Sequence, residues 1–446
     1  MTHEEHLDAA AATIGNVVIN ASDRFAGWLL MLMLNEDKKP KACLANVLTA
    51  LRHASELKGA LRYNLFAYRI DVVRPLPWDN QDPSQWVARS WTDDDDVRCA
   101  EWMQRQGIMV KLHEVGRAVV SVAREHGHHP LREWLESRVW DAVPRLEEAL
   151  PALFGVEPTA YTSAVFRCTA IAAVARAMNP GCKVDTVLMF EGNQGKKKSS
   201  GVEYLFGKQF FTDDLAEMGT KDSAMQMAGV WCIEIAELAS MKRADQDKIK
   251  SFITRKVDRF RPPYGTNLIE AARSSVMVAT TNVDDWGKDE TGARRFWPVQ
   301  CKGTIDLAGI AAARDQMWAE AMVRFLDGEQ WWLSPDIELL AQAEVATRYV
   351  NDPWQPAIAA AIQNRSEVTD TDLLTSVLHV DLAKQTQQDS VRVGRVLRRL
   401  GWKKNRVRQN GDRVNLYTPP MQTPAPARKR YEMKYPTATA PTVDKA

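Results

Sequence analysis

The stretch Asp185–Gly207, DTVLMFEGNQGKKKSSGVEYLFG, decides the fold. Its first half is a continuous apolar run of strand length that ends in glycine, and a polar loop then leads into a helical segment that closes on a second glycine. An unbroken apolar run of that length reads as a strand buried on both faces. Two more such runs follow, VWCIEIAEL at 230–238 and SSVMVATTN at 274–282, with helical stretches between them. Strands that alternate with helices predict a parallel sheet flanked by helices from about 185 to 330.

The loop EGNQGKKKSS joins strand to helix, the context that a phosphate-binding loop requires. Set against G-x-x-x-x-G-K-[ST], it supplies Gly192, Lys198 and Ser199, with Lys197 standing where glycine is expected. Gly195 and Ser200 complete the candidate nucleotide-binding set. In such a loop backbone N–H groups curl around a phosphate, the lysine reaches the terminal phosphates and the hydroxyl ligates magnesium. A lysine-rich surface loop also reads GKKKSS, and the loop alone leaves both readings open.

Nucleotide hydrolysis further asks for an acid at the end of a neighbouring strand and a polar residue on another. Glu234 and Glu237 supply the first and Asn282 the second. Residues three apart in an extended strand face opposite sides, so the two glutamates converge on one magnesium only if the strand breaks near Ile235 or Ala236. Glu237, at the strand exit, is favoured as the catalytic acid and, with Ser199, as a metal ligand, while Glu234 has a structural ion pair as its alternative. Arg294 and Arg295, in DETGARRFWPV, form either a finger or sensor for a terminal phosphate or an exposed salt-bridging pair.

Taken in order, FEGNQGKKKSS, VWCIEIAELASMKRADQDKIKSFITRKVDRFRPPYG, VATTN and TGARRFWPV resemble the virulence-associated protein E family. These are phage, prophage and mobile-element ATPases related to the superfamily 3 helicases and to primase-helicases. LRYNLFA, HHPLREWLESRVWDAVPRLEEAL and AVARAMNPGCKVD extend the resemblance over roughly residues 40 to 300. It implies Lys198 and Ser199 at the phosphates and magnesium, Glu234 and Glu237 in the acidic motif, Asn282 as sensor and Arg294 with Arg295 as the arginine pair. Lys197 departs from the family's regular glycine. Relatives that carry a primase domain place its acids on one strand, whereas FAYRIDVV offers Asp71 alone, so a primase is expected as a separate partner.

Composition narrows the rest. In 446 residues, 58 basic and 57 acidic side chains leave a formal charge of +1, so DNA affinity has to come from local patches. One patch is MKRADQDKIKSFITRKVDRFR, with Arg255, Arg259 and Arg261 as nucleic-acid candidates and a solvated, aspartate-paired face as the alternative. The other runs from Arg392 to Arg413, where Arg395, Arg398, Arg399, Lys403, Lys404 and Arg406 face only Asp412. SVRVGRVLRRLGW reads as a recognition helix and KKNRVRQNGDRVNLY as a wing turning at Asn410 and Gly411, with Val391, Val396, Leu397 and Leu400 inward and Trp402 as a core anchor.

Asp93 to Asp96 and the cluster His126, His128, His129 read as caps at helix ends and not as metal sites. Six scattered cysteines without CxxC fit a reduced cytoplasmic protein. GWLLMLML at 27–34 falls far short of the roughly 18 apolar residues of a membrane span. No export signal is visible in MTHEEHLDAAAATIG.

The expected class is α/β: a helical N-terminal region at 1–160, a P-loop NTPase core of AAA+ or superfamily 3 type with a parallel sheet at 161–330, a helical linker and winged-helix-like domain at 331–420, and a disordered tail at 421–446. The expected function is an ATP- and Mg2+-dependent DNA helicase or translocase, a homo-oligomeric ring on single- and double-stranded DNA with no membrane partner. A DNA-recognition protein with a degenerate nucleotide site, and an NTP-controlled switch that never unwinds, stay open as alternatives.

Overall fold

The computed structural model describes residues 27–82, 84–216, 219–237, 243–262, 267–282, 295–348, 352–409 and 412–419, and the side chains of 221, 243–247, 407–409 and 412–414 lie outside that description. The chain divides into two compact units, Met1–Tyr349 and Val350–Ala446.

Apolar spacing at three and four residues gives helix α1 (Leu44–His53), with Val47, Ala50 and Leu51 buried. The next segment departs from the expected all-helical region. Strands β1 (Leu61–Asn64) and β2 (Arg69–Val72) pair antiparallel, and β3 (Arg89–Ser90) and β4 (Gly127–His128) extend them into a sheet ordered β3-β2-β1-β4. Ile70 and Val72 bury at a spacing of two, which is a strand pattern, and Tyr68 takes a φ of 54° that no helix continues. Residues 41–73 contain no proline, which permits a helix there without requiring one. Helices α2 (Asp93–Arg105) and α3 (Leu112–Glu125) complete this part, α3 packing on α1 and β1.

The aspartates do start α2, Thr92 closing a capping box with Asp95. They are not all solvated. Asp95 is 2% exposed and holds Arg89 at 2.6 Å and the Trp78 indole at 2.9 Å, while Asp96 accepts from Trp91. His126 caps α3 as expected, but His128 sits in β4 against Asp71 at 3.1 Å, and His129 caps the following helix α4 (Pro130–Glu136). Among the described residues no group of three or more His, Cys, Asp or Glu is arranged for a metal ion. The cysteines are free, and Cys99, Cys168, Cys232 and Cys301 are buried. Among the described residues no helix is long and apolar enough to cross a membrane.

Helices α5 (Ala149–Phe154) and α6 (Ala160–Met178) lead into the expected mixed α/β region. Its elements run β5 (Val187–Glu191), α7 (Lys198–Phe206), β6 (Phe211–Thr212), α8 (Lys221–Gln226), β7 (Cys232–Ile235), α9 (Arg243–Ile253), a hairpin of β8 (Val257–Phe260) and β9 (Ile269–Ala272), then β10 (Val276–Thr281) and β11 (Phe296–Gln300). Helices α10 (Leu307–Leu326) and α11 (Pro335–Thr347) close the unit, α11 packing on α6 and β11.

Five parallel strands stand in the order β11-β5-β10-β7-β6. Every residue of β5, β7 and β10 is buried, as a sheet covered on both faces requires. Leu188, Phe190 and Val278 face one core with α6, α7 and α10, while Val187, Met189 and Ile233 face the other with Ile249 and Phe252 of α9. Parallel strands leave the sheet at one common end, so the loop after β5, the exit of β7 and the exit of β10 are gathered together.

The second unit holds α12 (Gln355–Ile362), β12 (Val368–Thr369), α13 (Asp370–Ser376), α14 (Gln387–Arg399), β13 (Lys403–Gln409) and β14 (Asp412–Thr418), with an antiparallel sheet ordered β12-β14-β13. Trp402 packs in its core with Val393, Val396, Leu397 and Tyr417. Val391, expected inward, is 51% exposed, because the buried stripe of α14 runs through Val393, Val396 and Leu397 and a residue two places earlier falls on the opposite face. Arg392 is not unopposed: Asp352 binds it at 2.8 Å and its guanidinium lies 3.9 Å from the Trp354 ring centre. The expected turn at Asn410 and Gly411 and the tail from 420 lie outside the described residues.

Trp231 ties the sheet to its helical layer, its indole donating to the Ala173 carbonyl at 2.8 Å and packing on Phe206 and Trp318. Trp231→Ala should therefore cost about 3–5 kcal/mol of stability. Urea denaturation of both proteins measures it, and a loss below about 1 kcal/mol, the size of an ordinary surface change, would contradict this packing.

Candidate functional site

The loop between β5 and α7 is built on positive φ angles. Gly192 has φ 143° and Gly195 φ 84°, and a Cβ on Gly192 would stand 2.8 Å from the Cys301 carbonyl oxygen. Lys197 takes φ 63° and ψ 32°, the left-handed region where glycine is unstrained and an L residue costs roughly 1–2 kcal/mol. The irregular position thus keeps a conformation suited to glycine while exposing a lysine side chain. The first turn of α7 directs its unpaired backbone N–H groups toward this loop.

Lys198 opens α7 and is buried. Its Nζ donates to the Gly192 carbonyl at 2.6 Å, the Asn193 carbonyl at 3.1 Å and Asn282 Oδ1 at 2.9 Å. Burial lowers the affinity of this amine for its proton. Ser199 donates its hydroxyl to Glu234 Oε1 at 2.6 Å, and Ser200 lies half-buried at the next position.

Glu234 is 3% exposed. Its Oε1 accepts from Ser199 and also from Thr280 of β10 at 2.5 Å, whereas Oε2 is buried with no hydrogen-bond partner among the described residues. Burial raises its pKa, against the pull of the two hydroxyl donors. The strand does break where convergence demands it: β7 ends at Ile235, and Glu237 turns with φ 52°. Glu237 is exposed and accepts from Asn282 Nδ2 at 2.5 Å. The carboxylate that meets Ser199 is therefore Glu234, while Glu237 reaches Asn282. A hydroxyl beside a carboxylate oxygen that lacks a donor is a donor set for a hard cation.

Arg295 precedes β11, and Arg294 lies outside the described residues. Phe296 pairs with Val187 and Gln300 with Glu191, so Arg295 stands at the opposite end of the sheet from Gly192. At 3.3 Å per residue, six residues apart, the separation is about 20 Å. Its Nε is buried and has no hydrogen-bond partner among the described residues.

Residues 135–350 match the model of the virulence-associated protein E-like domain. The expected family is thus met over the segment that holds the loop, both glutamates, Asn282 and both arginines. Among solved structures, the apo structure of the NrS-1 C terminal region is similar at 10% identity, with 80% of this chain and 95% of that chain covered and a TM-score of 0.45. An A form of the same region gives 10% identity, 80% and 96% coverage and a TM-score of 0.41. No curated protein sequence matches.

Within the virulence-associated protein E-like domain, Arg259 is 75% exposed on β8 but paired with Glu270 across the hairpin at 2.6 Å. Arg255 stacks over Phe252, and Arg261 is exposed past the strand. Asp258 pairs with the buried Arg273 at 2.7 Å. In the second unit Arg398, Lys403, Lys404 and Arg406 are exposed, and Arg395 and Arg399 are half-buried. Sequence reading missed Thr280 and the pair Glu191–Arg348. Thr280 was signalled by a polar residue inside an apolar strand, but residues 157 apart give no such signal.

Glu234 yields a pH prediction. The folded chain holds its proton more tightly than the unfolded chain, so this group removes stability as pH rises from the usual carboxylate range to its raised value, and the loss is complete above that. Glu234→Gln should flatten this slope and stabilise the protein at neutral pH. Melting temperatures from pH 4 to about 8 test it; parallel curves for the two proteins would mean that the carboxyl is not strained.

Proposed function

We propose that this chain is an ATP-driven translocase on DNA, serving replication of a phage or mobile element. The observation that carries the reading is the convergence of Lys198, Ser199, Glu234 and Asn282 where β5, β7 and β10 leave a parallel sheet. A P-loop NTPase needs this set at this end. Lys197 speaks for a working loop, since it adopts the backbone that glycine would provide.

Lys198 and the N-terminal amides of α7 would bind the phosphates, with Lys198 exchanging its loop carbonyls for phosphate oxygens. Ser199 and Glu234 would hold Mg2+, and the orphaned Glu234 Oε2 fits that role. The ion, once bound, supplies charge neutralisation at the transferring phosphate. Glu237, exposed at the strand exit and bonded to Asn282, would accept a proton from the attacking water. Arg295, about 20 Å along the sheet from the loop of its own chain, would serve the site of a neighbour, which would make a homo-oligomeric ring the working form. In the second unit α13 and α14 are followed by a basic hairpin, which supports the reading of a winged helix with α14 toward DNA. Arg259 and Arg261 on the β8–β9 segment would face the strand being moved.

Lys198→Ala should lower DNA-stimulated ATP turnover by about a hundredfold or more while circular dichroism stays unchanged. Near-normal turnover would remove Lys198 from the phosphates. In the second test, Arg295→Ala subunits are mixed with Lys198→Ala subunits. A chain that lends its arginine to an intact neighbouring loop should restore part of the activity, and no recovery at any ratio would exclude a role in trans.

A further inference from the structure

Glu191 closes β5, directly before Gly192, and its carboxylate is wholly buried at 0% exposure. A buried carboxylate needs a partner. It finds one 157 residues downstream in Arg348, whose Nε and Nη2 donate to Glu191 Oε2 at 3.1 and 3.0 Å. Arg348 caps α11 and is held in turn by Glu344 and by the Thr347 hydroxyl at 2.9 Å. Two residues beyond Arg348 the second unit begins, at Val350. On the other side, the carbonyl of Gly192 is the one that takes Lys198 Nζ at 2.6 Å. A single peptide therefore separates the partner of Arg348 from the group that holds the loop lysine.

We propose that Arg348 is a positioning residue that couples DNA engagement by the second unit to nucleotide affinity at the loop, acting through Glu191. This rests on the nucleotide and DNA reading above. A phosphate at the loop competes for the three protons that Lys198 gives to Gly192, Asn193 and Asn282, so occupancy releases the backbone beside Glu191. The ion pair does not follow such a change gradually, because both members are largely buried and separating them forfeits the attraction that offsets their desolvation. It is kept or broken, and it is biased from both directions: by the loop through Glu191, and by the chain leaving α11 through Arg348. Coupling of this kind is reciprocal, so DNA changes nucleotide affinity by the same factor that nucleotide changes DNA affinity.

The test uses the full chain, a fluorescent non-hydrolysable ATP analogue and a DNA duplex. The wild type should show a shift of about fivefold or more in analogue affinity when DNA saturates it. Glu191→Gln/Arg348→Gln removes both charges together and leaves neither buried alone; it should bind the analogue like the wild type and lose the DNA-induced shift. Arg348→Lys keeps the charge but not the two-pronged geometry and should retain a reduced shift, which covers the case of a double variant that does not fold. A purely structural pair would lower the melting temperature and leave the shift intact, and that result overturns the proposal. So does a wild type that binds both ligands without any shift, with the nucleotide reading still standing. A wild type that binds no analogue refutes that reading, and the proposal with it.

Discussion

One carboxylate oxygen holds three elements in register. Glu234 Oε1 takes the hydroxyl of Ser199 from the start of α7 and that of Thr280 from β10, while its own chain is β7. Val278 stands opposite Glu234 in the pairing, so Thr280, two residues on, lies on the same face as a diagonal neighbour. Lys198 repeats the tie one residue away by reaching Asn282 at the end of β10. The loop after β5 is thus fixed by groups from two other strands as well as by the bonds of Lys198 to its own Gly192 and Asn193 carbonyls.

That arrangement is not built for stability. Hydrogen bonds to a charged group contribute about 1.5–3 kcal/mol each, yet taking the carboxylate out of water costs several kcal/mol, and Oε2 receives no donor. The balance is visible as a raised pKa caused by burial. Replacing Glu234 by an apolar residue would relieve the strain but remove the one acid beside Ser199. A buried carboxylate that the sheet forces toward a hydroxyl is the feature on which the proposed Mg2+ site rests.

The parallel sheet was legible because VLMFE, CIEI and VMVATT are buried on both faces and so are mainly apolar, with Glu191, Glu234, Thr280 and Thr281 as the exceptions. The N-terminal sheet was not. Its turn residue Tyr68 takes a positive φ without being glycine, so the usual punctuation is missing, and β4 is only two residues long. The loop was legible except at Lys197, where sequence shows the wrong residue type but not the retained backbone. The glutamates were found as a pair, and the break after Ile235 follows the spacing argument. Which of them meets Ser199 depends on interstrand register, which no local pattern encodes. The Glu191–Arg348 pair depends on where α11 ends against β5, a consequence of packing alone.

Sheet polarity also explains why Arg295 and the loop, both legible, do not meet. In a parallel sheet a residue before a strand and a residue after its neighbour lie at opposite ends, whatever the side chains. Arg295 precedes β11 and Gly192 follows β5, and the register of Phe296 with Val187 fixes the gap at the full length of both strands. An extended arginine spans far less than the roughly 20 Å that separates them. Arg295 therefore has no use at the phosphates of its own loop, and the catalytic role proposed for it carries oligomerisation as a geometric consequence of strand direction.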